Sequence, residues 1–166
     1  KGLDLLLELF SQHLKDYTLY VCSEYEQEED FYQEYHKELY ETSNIIPMGF
    51  VDIESETFRE ISYKCTFAIL PSCAEGCAGS ILTAMSAGMI PIVSKECGFE
   101  DDEVINLPDC KMETIFGYVV EYSPKDQNWL KNAAKHSMEI VHSRYSKLCF
   151  SHSVEKALDG VLANTK

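Results

Sequence analysis

The run from Thr66 to Ser94 constrains this chain more than any other segment. Thr66-Phe-Ala-Ile-Leu70 is apolar on both faces, and Ile90-Pro-Ile-Val-Ser94 repeats the pattern. Strands buried on both faces belong in parallel sheets covered by helices. Between them, Gly79 to Ala87 carries Ile81, Leu82 and Met85 at helical spacing, with Gly88 as a fitting C-cap. The unit reads strand, turn, helix, strand. Ligands of such sheets bind at the C-terminal strand ends, which is where the turn Ser72 to Ala78 falls. That turn offers Glu75, followed by Gly76 and Gly79 at the helix mouth. Amides at a helix start bind anions, and glycine lets a ligand approach the backbone. A carboxylate beside them suits hydroxyl groups better than phosphate. The pattern fits a ligand with both a phosphate and a polyol. Glu75 would equally suit the first turn of the helix as a capping carboxylate.

The rest of the chain alternates in the same way. Leu3, Leu6, Leu7, Phe10 and Leu14 predict an amphipathic helix over residues 2–15. Thr18–Cys22 predicts a strand, Glu26–Thr42 an acidic helix, and Ile45–Val51 a strand shortened by Pro47 and Gly49. Glu56–Lys64 reads as a short helix, Gly98–Cys110 as a long loop and Gly117–Tyr122 as a last strand. Asp126–His142 and Ser146–Leu162 close the chain as two helices. Alternating strands and helices predict a three-layer, Rossmann-like α/β fold, a parallel sheet with helices on both faces. A length of 166 residues fits one domain with a real core.

The formal net charge of −14 argues against nucleic acid and anionic membrane surfaces as partners. No apolar run approaches the ~20 residues of a spanning helix, and no signal peptide is read, which favours the cytoplasm. Seven scattered cysteines, an odd number, read as reduced thiols rather than a disulfide framework. Cys73 and Cys77 lack the further ligands a zinc site needs. Glu100-Asp-Asp-Glu103 could offer oxygens to a divalent cation. The acidic run from Glu24 to Glu41 reads as a solvated helix face.

Three segments resemble one family. Lys1-Gly2-Leu-Asp-Leu-Leu is similar to a K-G-x-x-x-L helix start, and Met48-Gly49-Phe50-Val51 to a G-[FYWH]-V segment. Leu70-Pro-Ser-Cys-Ala-Glu75-Gly76 through Ala84-Met-Ser-Ala-Gly88-Met-Ile-Pro91-Ile-Val-Ser94 resembles a P-S-x-x-E-G … E-A-M-A-x-G-x-P-V-V-x-S signature over more than twenty residues. All three belong to the C-terminal, donor-nucleotide domain of group 1 retaining GT-B glycosyltransferases (glycosyltransferase family 4). The resemblance implies a domain that holds a nucleotide-diphosphate sugar as substrate, with no metal or other cofactor of its own. It implies that Glu75, the first glutamate of an E-x7-E motif, contacts donor-sugar hydroxyls at the catalytic centre. It also implies that the backbone of Gly76, Cys77, Ala78, Gly79 and Ser80 faces sugar and diphosphate, and that Lys1 neutralises the diphosphate. A point charge there would stabilise the leaving nucleotide diphosphate.

Two departures qualify the resemblance. The second glutamate of E-x7-E falls at Thr83, a neutral residue that accepts one ribose hydroxyl where a carboxylate grips two. The family's domain also starts with a mid-sheet strand and a Gly-Arg phosphate loop before the K-G helix, and neither is read here. Residues 1–166 are therefore expected to be one nucleotide-sugar-binding domain truncated at its N-terminus, without the separate N-terminal domain that binds the saccharide acceptor and inactive by itself. Two other readings stay open. One is a glycosyltransferase-like binding or assembly module without donor chemistry, which Thr83 favours. The other is a sugar epimerase of the same architecture, which the signature fits less well.

Overall fold

A computed structural model of the chain describes residues 1–163. Its strands form two parallel groups. β1 (Leu19–Val21) pairs with β2 (Ile45–Pro47), with Leu19 opposite Ile45. β4 (Ile90–Ser94) lies between β3 (Phe67–Leu70) and β5 (Ile105–Leu107), with Ile69 opposite Ile92 and Ile92 opposite Ile105.

Burial along β4 shows the layering. All five of its residues are buried, yet Ile92 and Val93 enter different clusters. Successive strand side chains point to opposite faces, so apolar layers cover both. The Ile92 face receives Leu6, Leu7 and Phe10 of α1 (Leu3–Gln12), together with Leu39 of α3 (His36–Glu41) and Ile115 and Val119 of α6 (Met112–Tyr122). The Val93 face receives Ile81 and Met85 of α5 (Gly79–Ser86) and Ile140 of α7 (Gln127–Arg144). This is the helix-covered parallel α/β arrangement that the alternating sequence predicts.

Local chemistry fixes several boundaries. The Ser55 hydroxyl accepts from the Phe58 N–H to cap α4 (Glu56–Lys64), and the Asp126 carboxylate accepts from the Asn128 and Trp129 N–H groups to cap α7. The Asn44 side-chain amide donates to the carbonyls of Phe10, Leu14 and Tyr17, tying the end of α1 to the start of β2. α8 (Lys147–Ala163) follows α7 and leaves Leu148, Phe150 and Leu158 exposed.

Three expectations fail. Gly117–Tyr122, read as a strand, is the second half of α6. Its Val and Tyr content favours β structure, but Ile115 and Val119 sit four apart and both bury against the α1 cluster. Tertiary packing overrides propensity there. The sheet's last described strand is instead β5, inside the expected loop of residues 98–110 and only three residues long. The single acidic helix of residues 26–42 is broken into a turn at Tyr25–Gln27, α2 (Glu29–Glu34) and α3. Like charges four apart, at Glu24 and Glu28, Glu26 and Asp30, and Glu34 and Glu38, oppose a continuous helix. Tyr35 marks the second break, stacked on Phe31 and donating its hydroxyl to Glu8 at 3.1 Å.

Candidate functional site

The site forms where β3 ends. Pro71 closes the strand, the chain crosses residues 72–78, and α5 begins at Gly79. α1 reaches the same place because Gly2 has a left-handed φ of 72° and packs on the Pro71 carbonyl. A Cβ at Gly2 would stand 2.2 Å from that oxygen, so only glycine allows the approach. The approach carries Lys1 to Glu75, with Nζ 3.3 Å from Oε1. Residues 74 apart in sequence thus meet in an ion pair. The Glu75 side chain keeps 17% of its exposure and Lys1 keeps 77%. The Ser72 hydroxyl donates to the same Oε1 at 3.5 Å.

Glu75 does not cap α5. The N-cap is Ala78, and no side chain bonds to the helix start. The first N–H groups of a helix lack the usual intrahelical acceptors; here the Ile81 N–H donates to the Ala78 carbonyl at 3.0 Å, and among the described residues no carboxylate of the turn accepts from Gly79 or Ser80. Gly76 and Gly79 both face open space: among the described residues, nothing beyond their own chain neighbours and the backbone of α5 lies within 4 Å of where a Cβ would stand. The turn therefore presents a carboxylate, a lysine and uncovered backbone on one surface, an arrangement able to hold hydroxyls and an anion together.

The remaining expected residues divide. Ser80 is exposed in the first turn of α5. Thr83 lies one turn further on, and its hydroxyl donates to the Gly79 carbonyl at 3.0 Å. Its hydrogen is spent inside the helix and only its lone pairs remain for a ligand. Ala78 turns away, buried at 2% exposure with Ile81 and Met85, and its N–H donates to the Cys97 carbonyl at 3.3 Å. Burial first, and the Glu103 carboxylate second, push the Cys77 thiol up, so it is no activated nucleophile.

The acidic loop after β4 is spent on structure. Asp102 accepts from Arg144 at 2.6 and 3.1 Å. Buried Glu103 accepts from Arg144 at 2.8 Å, from the Tyr145 hydroxyl at 2.7 Å and from the Glu100 N–H at 3.0 Å. Arg144 holds the Asp102 carboxyl below its usual range. Burial alone would raise the Glu103 carboxyl, but hydrogen bonds from Tyr145, Glu100 and Arg144 outweigh it, and the net shift is downward. A cavity of about 410 Å³ beside this network is lined by Leu82, Arg144, Tyr145, Lys147 and Phe150, and contains no residue of the Glu75 turn.

Parallel strands flanked by helices make a Rossmann-like α/β fold, and the solved structures it matches have the GT-B glycosyltransferase fold. The chain belongs to the group 1 glycosyl transferases, whose family model matches residues 1–137. Among solved structures it is similar to HepE of Anabaena in complex with UDP and glucose, with a TM-score of 0.76 at 15% identity over 96% of this chain and 45% of HepE. It is similar to the C-terminal domain of the group 1 family protein LpcC of Francisella tularensis, with a TM-score of 0.63 at 17% identity over 89% of this chain and 80% of that domain. Sucrose-phosphate synthase of Thermosynechococcus elongatus gives a TM-score of 0.65 at 16% identity over 99% of this chain and 43% of the synthase. The chain thus spans less than half the length of HepE and the synthase. A search of curated proteins finds no significant sequence match. Among the described residues, no helix is long and apolar enough to cross a membrane.

Proposed function

We propose that this chain is the donor-binding domain of a retaining glycosyltransferase of family 4. It takes a nucleotide-diphosphate hexose and acts with a second domain that holds a saccharide or glycoconjugate acceptor. The setting is polysaccharide or glycoconjugate synthesis in the cytoplasm. The observation that carries this reading is the meeting of Lys1 and Glu75 beside the open backbone of Gly76 and Gly79. Glu75 accepts from donor-sugar hydroxyls, while the Lys1 ammonium compensates the charge that builds on the leaving diphosphate. Cys77 and Ser80 line this surface through their backbone, and Thr83 accepts one ribose hydroxyl. The likeness to HepE in complex with UDP and glucose supports the fold that this reading requires.

Calorimetry of UDP, GDP and ADP, and of their hexose conjugates, against the full-length protein tests the reading. Binding of one series is expected; silence from all of them sinks it.

A second reading, a binding or assembly module, draws on the neutral Thr83 already bonded to Gly79. Thr83→Glu separates the two. A rise in nucleotide affinity of about tenfold, equivalent to about 1.4 kcal/mol, supports an intact donor site. Affinity that stays undetectable supports the module.

A further inference from the structure

The turn that carries Glu75 does not hold itself in place. Within residues 71–78, the Ser72 hydroxyl makes only long contacts, at 3.5 Å, to the Ala74 carbonyl and to Glu75. Its firmer partners lie at the end of β4 and on the segment that follows it, with the Cys110 thiol adding a long contact of 3.9 Å to the Ser72 carbonyl. The buried Ser94 hydroxyl donates to the Ser72 carbonyl, and the buried Cys97 thiol donates to the Leu70 carbonyl at 3.4 Å. In return, the Glu75 N–H donates to the Glu96 carbonyl at 3.0 Å and the Ala78 N–H to the Cys97 carbonyl at 3.3 Å. Gly98 completes the contact. It has φ 77°, and a Cβ there would stand 2.1 Å from the Gly76 carbonyl oxygen.

Two consequences follow from these partners. The N–H groups of Glu75 and Ala78 are engaged with protein carbonyls, so a phosphate at this turn is left with the amides of Gly76, Cys77, Gly79 and Ser80. The height of the Gly76 peptide is set by bare backbone at Gly98, with no side chain between them.

We propose that Ser94, Cys97 and Gly98 are positioning residues that hold the Glu75 turn in its ligand-binding shape without touching the ligand. The proposal rests on the donor-site reading for its ligand and on geometry alone for its contacts. Loss of one neutral hydrogen bond corresponds to about fivefold in an equilibrium, and the turn's displacement adds to it.

The full-length protein carrying Ser94→Ala is compared with wild type by calorimetry, using the nucleotide-sugar series and the matching nucleoside monophosphate. Nucleotide-sugar affinity is expected to fall about tenfold, while monophosphate affinity stays within about twofold, because sugar and diphosphate meet the turn and the base does not. A parallel fall for both ligands overturns the proposal and leaves Ser94 a general stabiliser. Hydrogen exchange at the Glu75 and Ala78 amides reads the clamp without any ligand. Exchange about tenfold faster in Ser94→Ala is expected, and unchanged protection overturns the proposal. If wild type binds no nucleotide sugar, the donor-site reading fails and the exchange result still decides the clamp. Should Ser94→Ala not fold, Cys97→Ala, which removes the thiol from the Leu70 carbonyl and from the Ser94 hydroxyl 3.5 Å away, carries the same comparisons.

Discussion

Glu75 earns its place through two neighbours that the sequence sets far apart. Lys1 arrives because Gly2 alone can lie on the Pro71 carbonyl, and Ser72 contributes a hydroxyl from the same turn. A carboxylate in this position is able to accept hydrogen bonds from hydroxyls, and a cation stands 3.3 Å away. Glu75→Gln keeps the size and removes the charge. In a full-length transferase it is expected to lower kcat/KM by about 10- to 100-fold, the loss of one charge-assisted hydrogen bond in the transition state. Initial rates with varied donor check this, and a change under twofold would remove Glu75 from the chemistry. Glu75 and the glycines were visible as a motif. The roles of Ser94, Cys97 and Gly98 were not, because small residues leave no periodic trace and their contacts run between separate loops.

Among the elements, α6 separates pattern from propensity. Gly117-Tyr-Val-Val-Glu-Tyr122 has the composition of a strand, yet the segment is helical because Ile115 and Val119 share one face and complete the cluster under α1. Ile115 is fully buried. Ile115→Ala is expected to destabilise the protein by about 3 kcal/mol, the usual cost of a cavity at such a site. Urea unfolding followed by circular dichroism measures it. A loss below about 0.5 kcal/mol, the range of surface changes, would mean that this helix does not pack as described. β5 is the opposite case. Three residues carry too little pattern to be read, and the strand exists because the exposed edge of β4 pairs with it.

Across the whole molecule, one ion network joins the loop after β4 to the end of α7. Arg144 bridges Asp102 and Glu103, and Tyr145 donates to Glu103. Both carboxyls lie below their ordinary values in the folded state. A depressed folded value means stability that is present above the unfolded value and lost as pH falls. The ordinary values are 3.8 for Asp102 and 4.5 for Glu103, so the loss begins near pH 4.5 and grows below it. Arg144→Met leaves buried Glu103 without its cation and is expected to cost about 2 kcal/mol or more at neutral pH. The gap in Tm between wild type and Arg144→Met should narrow as pH falls from 6 to about 3. A gap that stays constant with pH would show that Arg144 acts through packing alone.

The sequence by itself determined the parallel α/β class, the position of the strand-end turn and the acidic, glycine-bearing chemistry of that turn. Both-face apolar runs and helical spacing are local signals, so they can be read without coordinates. Only the tertiary structure decided that Lys1 meets Glu75, that Ala78 is withdrawn into the core, and that residues 94–98 hold the turn. It also decided that Asp102 and Glu103 pair with Arg144. Each of these depends on contacts between residues at least 19 apart in sequence. Such contacts are fixed by how helices pack on the two faces of the sheet, and no local pattern encodes that packing.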